Sequence, residues 1–123
     1  MNGLTNRRKG HSFEREIARR FRESGYANAL TSRQASRLYD DCKLDIWGIP
    51  DNVQVKNVKA SINPMSIFRQ MKKLVEEKLE NIEKRLDKPF VLIHKQNKIT
   101  TVYVEMSIDE YFKWKKLENN SSN

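Results

Sequence analysis

Two strand-type segments and the turn between them constrain this chain most: Lys43-Leu44-Asp45-Ile46-Trp47, then Gly48-Ile49-Pro50-Asp51-Asn52, then Val53-Gln54-Val55-Lys56-Asn57-Val58. The middle piece is rich in turn formers, so the spacing predicts an antiparallel hairpin. Alternation along the second strand puts Val53 and Val55 on one face and Gln54 and Lys56 on the other. Asp45 then sits inside an apolar stretch. A carboxylate there is costly unless another group pairs with it or a cation binds it.

The surrounding pattern predicts what packs on that hairpin. Phe13, Ile17 and Phe21 recur at helical spacing and predict a helix over Ser12–Ser24, stopped by Gly25. Glu14 lies roughly 60° from the centre of the apolar stripe, at the edge of the core, while Glu16 and Glu23 lie farther round. Residues 26–31 read as a first strand and 32–41 as a polar loop. Asn63-Pro64 predicts a capped helix start. Ile67, Met71, Leu74, Leu79, Ile82 and Leu86 carry that helix on until Pro89 ends it. Strands follow at Phe90–His94 and Ile99–Met106, separated by the turn Lys95-Gln96-Asn97-Lys98. Ser107-Ile108-Asp109-Glu110 has capping-box spacing and opens a short last helix through Trp114. The order α-β-β-β-α-β-β-α predicts an α/β or α+β domain with a mixed central sheet flanked by helices.

Length fits one domain, over residues 1–117, with a disordered tail at 118–123 that lacks an apolar anchor. Cys42 stands alone and reads as a small core residue, which excludes an intrachain disulfide or a Cys-rich zinc site. No apolar run approaches the roughly 18 residues of a membrane span, and MNGLTNRRKG does not lead into a secretory signal. A cytoplasmic protein without membrane contact is expected. The 24 basic against 16 acidic residues leave a net charge of +8, which suits a nucleic-acid partner.

Glu14, Asp45 and Gln54 offer two carboxylates and an amide oxygen, the hard donors that Mg²⁺ or Mn²⁺ accepts. A metal there can bind a phosphate oxygen and activate a water, with Lys56 positioning that water or stabilising charge on phosphorus. Arg7, Arg8 and Lys9 form a basic arm before the first helix, whose N-terminus favours anions. With Arg33 and Arg37 in the loop and Lys59 after the third strand, they are the candidate phosphate contacts.

Arg8-Lys9-Gly10, Phe13-Glu14-Arg15-Glu16, Gly25-Tyr26, Leu44-Asp45-Ile46 and Val53-Gln54-Val55-Lys56 together resemble the archaeal and phage Holliday-junction resolvases, within the PD-(D/E)xK nuclease superfamily. The likeness covers roughly residues 8 to 60 and implies a restriction-endonuclease-like core. It also implies a phage or prophage-type homodimeric, Mg²⁺-dependent DNA endonuclease that resolves four-way junctions by paired nicks in a bacterial or archaeal host. A serine in the loop between the first two strands assists cleavage in such enzymes; Ser36 or Ser32 fills that place here. Gln54 departs from the pattern, standing where the acid before the lysine is usual, and so removes one negative charge.

Each residue also has a duller role open to it. Glu14 could pair with Arg33 or Arg37, Asp45 could cap the Gly48 turn or pair with Lys43, and Gln54 and Lys56 could face solvent on an edge strand. His11 and His94 lack a second ligand at metal spacing. The alternatives to junction resolution are a DNA-binding relative silenced by Gln54, and a nuclease acting on another DNA substrate.

Overall fold

Nothing in Arg7-Arg8-Lys9-Gly10-His11 breaks a helix, and the chain uses that freedom. In the computed structural model, which describes residues 3–58, 61–96 and 101–122, helix α1 runs Gly3–Glu23 and begins well before Ser12. Arg7, Arg8 and Lys9 therefore belong to α1 rather than to an arm ahead of it, and no helix N-terminus lies at Ser12. Glycine stops α1 as expected. Gly25 adopts φ 115°, its N–H donates to the Arg22 carbonyl, and the Tyr26 N–H donates to the Phe21 carbonyl. This is a Schellman closure, and Tyr26 packs edge-on against Phe21 at 6.0 Å.

The first strand is short, β1 (Leu30–Thr31). The segment read as a loop instead forms two helical turns, α2 (Ser32–Ala35) and α3 (Arg37–Asp41). Ser36 caps α3, its hydroxyl accepting from the Tyr39 N–H at 3.2 Å, while Tyr39 and Leu38 pack into the core. A second Schellman closure ends α3. The Lys43 N–H donates to the Asp40 carbonyl and the Leu44 N–H to the Tyr39 carbonyl, with Lys43 itself at φ 65°.

That left-handed residue changes the predicted hairpin. Strand β2 is only Ile46–Trp47 and pairs antiparallel with β1, while β3 (Asn52–Val58) joins a separate sheet. A regular antiparallel ladder would carry the Val55 N–H to the carbonyl of residue 43. Lys43 has turned away, and the Asp45 carboxylate accepts that N–H instead, at 2.7 Å. What remains of the expected ladder is the Asp45 N–H donating to the Val53 carbonyl at 2.7 Å.

Asn63 and Pro64 open α4 (Pro64–Lys78) as the sequence predicts, the Asn63 side chain accepting from the Ser66 N–H. The helix does not continue to Pro89. The Glu80 carboxylate accepts the N–H groups of Arg85 and Leu86, and Arg85 is drawn inward. It donates to the Asn52 side chain and to the carbonyls of Ile49 and Asp51. Ile82, expected on the apolar stripe, is exposed. Strand β4 (Phe90–Gln96) lies parallel to β3, with Gln54 opposite Leu92 and Lys56 opposite His94; β5 (Tyr103–Glu105) lies antiparallel to β4. Asn97, Lys98 and Ile99 lie outside the described residues. Ser107 caps α5 (Ile108–Ser122) by accepting from the Glu110 N–H. The Glu110 carboxylate does not complete the capping box; it accepts the Phe90 N–H and pairs with Lys72 and Lys113. Once nucleated, α5 runs through 118–122, where the composition had predicted no order, with Lys115 and Glu118 paired along it.

The result is a mixed α/β arrangement with apolar packing on both faces of the three-stranded sheet β3-β4-β5. Phe13, Ile17 and Ala18 of α1 meet Val53, Val55, Val91 and Ile93 on one side. Met71 and Val75 of α4 meet Phe90, Tyr39 and Leu44 on the other. Among the described residues no helix is long and apolar enough to cross a membrane.

Candidate active site

Asp45 is the residue at which the two sheets meet. Its N–H reaches β3, its carbonyl accepts from the Ser32 N–H at 2.9 Å, and its carboxylate caps the Val55 N–H. Backbone N–H groups of a strand point within the plane of the sheet. The Asp45 carboxylate therefore lies at the edge of β3, open to both faces. Glu14 approaches from the α1 side, while Lys56 leaves β3 on the α4 side.

The charges register this convergence. Burial and the nearby Glu14 carboxylate push the Asp45 carboxyl up to about 7, with a smaller contribution from Asp40. The Val55 N–H and the Lys56 ammonium act in the opposite direction. A partly desolvated carboxylate facing a second acid is stabilised by a cation that enters between them. Lys56 acts on Asp45 through space; among the described residues it forms no salt bridge with either acid.

Glu14 is buried to 8% exposure, and Arg33 donates to its Oε2 from Nη2 at 3.2 Å. The pairing open to Glu14 in the sequence is thus made. Asp45 neither pairs with Lys43 nor caps the Gly48 turn; its acceptor capacity goes to Val55. Gln54 is buried, at 5% exposure, rather than solvated. Among the described residues no hydrogen bond joins its amide to Asp45 or Glu14. It shares the α4-side face with Lys56, across the sheet from α1.

The donor set suits a divalent ion only in part. Among the described residues no group of three or more His, Cys, Asp or Glu stands where it could hold a metal ion. Glu14 and Asp45 would supply the charge, and Gln54 a neutral oxygen at most. Mg²⁺ keeps several of its waters and is commonly held through one or two carboxylates, so two acids are sufficient in number.

Of the loop serines, Ser32 is buried beside Asp45 through its backbone bond, whereas the Ser36 hydroxyl is engaged as the α3 cap. Arg7, Arg8 and Arg37 are exposed, as phosphate contact requires; Lys59 lies outside the described residues. Cys42 is fully buried, and His94 stacks on Tyr103 at 5.9 Å, so both keep ordinary packing roles.

Sequence reasoning missed the support beneath the site. Asn52, at 0% exposure, donates to the carbonyls of Arg85 and Lys88 while accepting from the Arg85 guanidinium. Arg85 also lies over the Tyr39 ring, and the Tyr39 hydroxyl donates to Glu83 at 2.6 Å. This buried network fixes the turn between Asp45 and Gln54. Arg85 stands in the charged run Glu83-Lys84-Arg85, where no local signal marks one residue for burial. Comparison with known proteins finds no match to this chain, whether among protein-family models, curated proteins or solved structures.

Proposed function

We propose that this protein is a metal-dependent endonuclease with a restriction-endonuclease-like core, acting as a homodimer on branched DNA and resolving four-way junctions by paired nicks. One observation carries the reading: the half-buried Asp45 carboxylate, held by the Val55 N–H at 2.7 Å where the two sheets meet, is opposed by Glu14 and drawn on by Lys56. A carboxyl raised by burial and by a second acid is a functional-site candidate, because a cation entering beside it gains both carboxylates. The resemblance of these residues to the junction resolvases and the net charge of +8 support the same reading.

A divalent ion bound by Glu14 and Asp45 would activate a water and draw charge from the phosphate oxygens. Gln54 would orient through its amide oxygen. The Lys56 ammonium would hold the water or offset charge building on phosphorus. Ser32 is the better placed of the two loop serines, and Arg7, Arg8 and Arg37 would hold the backbone of the arms. The decisive assay offers an end-labelled four-way junction and a linear duplex to the protein with Mg²⁺ or Mn²⁺. Paired nicks in the junction, abolished in Asp45→Asn, are expected. Junctions, flaps and duplexes all left uncut with either ion would refute the proposal.

A second reading has its own observation. Gln54 is neutral and unconnected to the two acids, and Arg33 already satisfies part of Glu14, which suits a protein that binds DNA without cutting it. Gln54→Glu separates the readings, because cleavage appearing only in that variant would favour the binding module.

A further inference from the structure

The Arg33–Glu14 pair has a consequence for how the site fills. Glu14 is nearly enclosed, and among the described residues Arg33 is the cation that pairs with it; the arginine side chain is half-exposed, at 49% against 10% for the glutamate. The backbone beneath Arg33 is pinned, since the Ser32 N–H donates to the Asp45 carbonyl. The root of this long side chain is therefore fixed beside Asp45 while its head has solvent to turn into. A guanidinium and a divalent ion compete for the same carboxylate oxygens, and a guanidinium released there presents a planar fork suited to a phosphate.

Resting on the nuclease reading above, we infer that Arg33 is a positioning residue: it holds Glu14 in place of the divalent ion and transfers to a DNA phosphate when the ion takes Glu14 over. Metal and phosphate then favour each other through one side chain. Whatever factor Arg33 takes from the metal's affinity, the metal takes equally from the hold on Arg33. Glu14 and Arg33 thus act as a single two-position element between the ion site and the polynucleotide.

The test uses the full chain and two readouts other than cleavage. Calorimetric titration with Mn²⁺ should show Arg33→Gln binding the ion roughly three- to tenfold tighter than the unaltered chain, the range expected for removing a half-exposed ion-pair competitor. Arg33→Lys, which keeps the charge, should return most of the way. In EDTA, Glu14→Gln should bind a four-way junction roughly three- to tenfold tighter, because it releases Arg33, and this gain should vanish in Glu14→Gln with Arg33→Gln. Equal Mn²⁺ affinity with and without Arg33, alongside Mn²⁺ binding that Asp45→Asn abolishes, would overturn the role of Arg33 and leave the nuclease reading intact. Failure of the unaltered chain and Arg33→Gln alike to bind Mn²⁺ would remove the metal site itself and the inference with it.

Discussion

Replacing Asp45 by asparagine should make the protein more stable while it destroys the proposed activity, and the gain should depend on pH in a defined way. Burial and Glu14 hold the Asp45 carboxyl at about 7, against an ordinary 3.8. The folded chain therefore keeps a proton that the unfolded chain releases near pH 4. Folded-state stability falls as pH rises from about 4 to about 7, then levels off. Converted at 1.36 kcal/mol for each tenfold step, the ionised group costs up to about 4 kcal/mol at pH 8. The amide introduced by Asp45→Asn would keep an oxygen for the Val55 N–H, which donates at 2.7 Å, and would remove the opposition to Glu14. Burying an amide returns part of that gain, so a net stabilisation of about 1–3 kcal/mol at pH 8 is expected, shrinking toward zero below pH 4. Urea unfolding of both chains between pH 4 and 8.5 reads this directly. A midpoint difference of roughly 0.5–2 M at pH 8 is expected for a chain of this size. A difference that is absent at pH 8, or that does not grow between pH 5 and pH 8, would refute the placing of a partly desolvated, opposed carboxyl at position 45.

Four other outcomes follow from the same geometry. Gln54→Glu adds a third acid at a buried position, so it should destabilise the metal-free chain by about 1–3 kcal/mol, and Mn²⁺ should recover that loss in a thermal melt. Lys43→Gly should stabilise by about 0.5–1 kcal/mol in urea titrations, because residue 43 holds φ 65° and only glycine does so without a steric cost. Arg85→Ala orphans the Asn52 Oδ1 and the carbonyls of Ile49 and Asp51; a loss of about 3–5 kcal/mol is expected by equilibrium unfolding. Gly48→Ala places a Cβ 2.6 Å from the Asn28 carbonyl oxygen at a backbone φ of 88°. Its expression and melting temperature should drop sharply, by about 2 kcal/mol or more in stability.

Periodicity and caps are local properties, and where they governed, the sequence was enough. The Phe13, Ile17 and Phe21 stripe, the Gly25 stop, the Asn63-Pro64 start and the Ser107 cap each depend on residues within one or two turns. The alternation of Val53 to Lys56 likewise divided β3 into the face α1 covers and the face that carries Gln54 and Lys56. Asp45 announced itself because an acid between Leu44 and Ile46 breaks a rule that apolar strands otherwise keep. Glu14 stood out by its angle from the stripe.

Tertiary structure decided what local rules leave open. Helix α1 extends over residues 3–11 because nothing there forbids it, a permission that carries no periodic signal. Helix α4 ends at Lys78 because Arg85 gains partners in Asn52, Ile49 and Asp51, more than 30 positions earlier in the chain. The β2–β3 ladder fails because Lys43 turns left-handed once Tyr39 and Leu44 are buried together, and the Asp45 carboxylate takes the vacated N–H. That substitution puts the acid in the plane of the sheet, where Glu14 on one side and Lys56 on the other can both act on it. Residue types and their order made Asp45 a candidate; only the meeting of two sheets at its backbone set its carboxylate against Glu14 and raised its pKa.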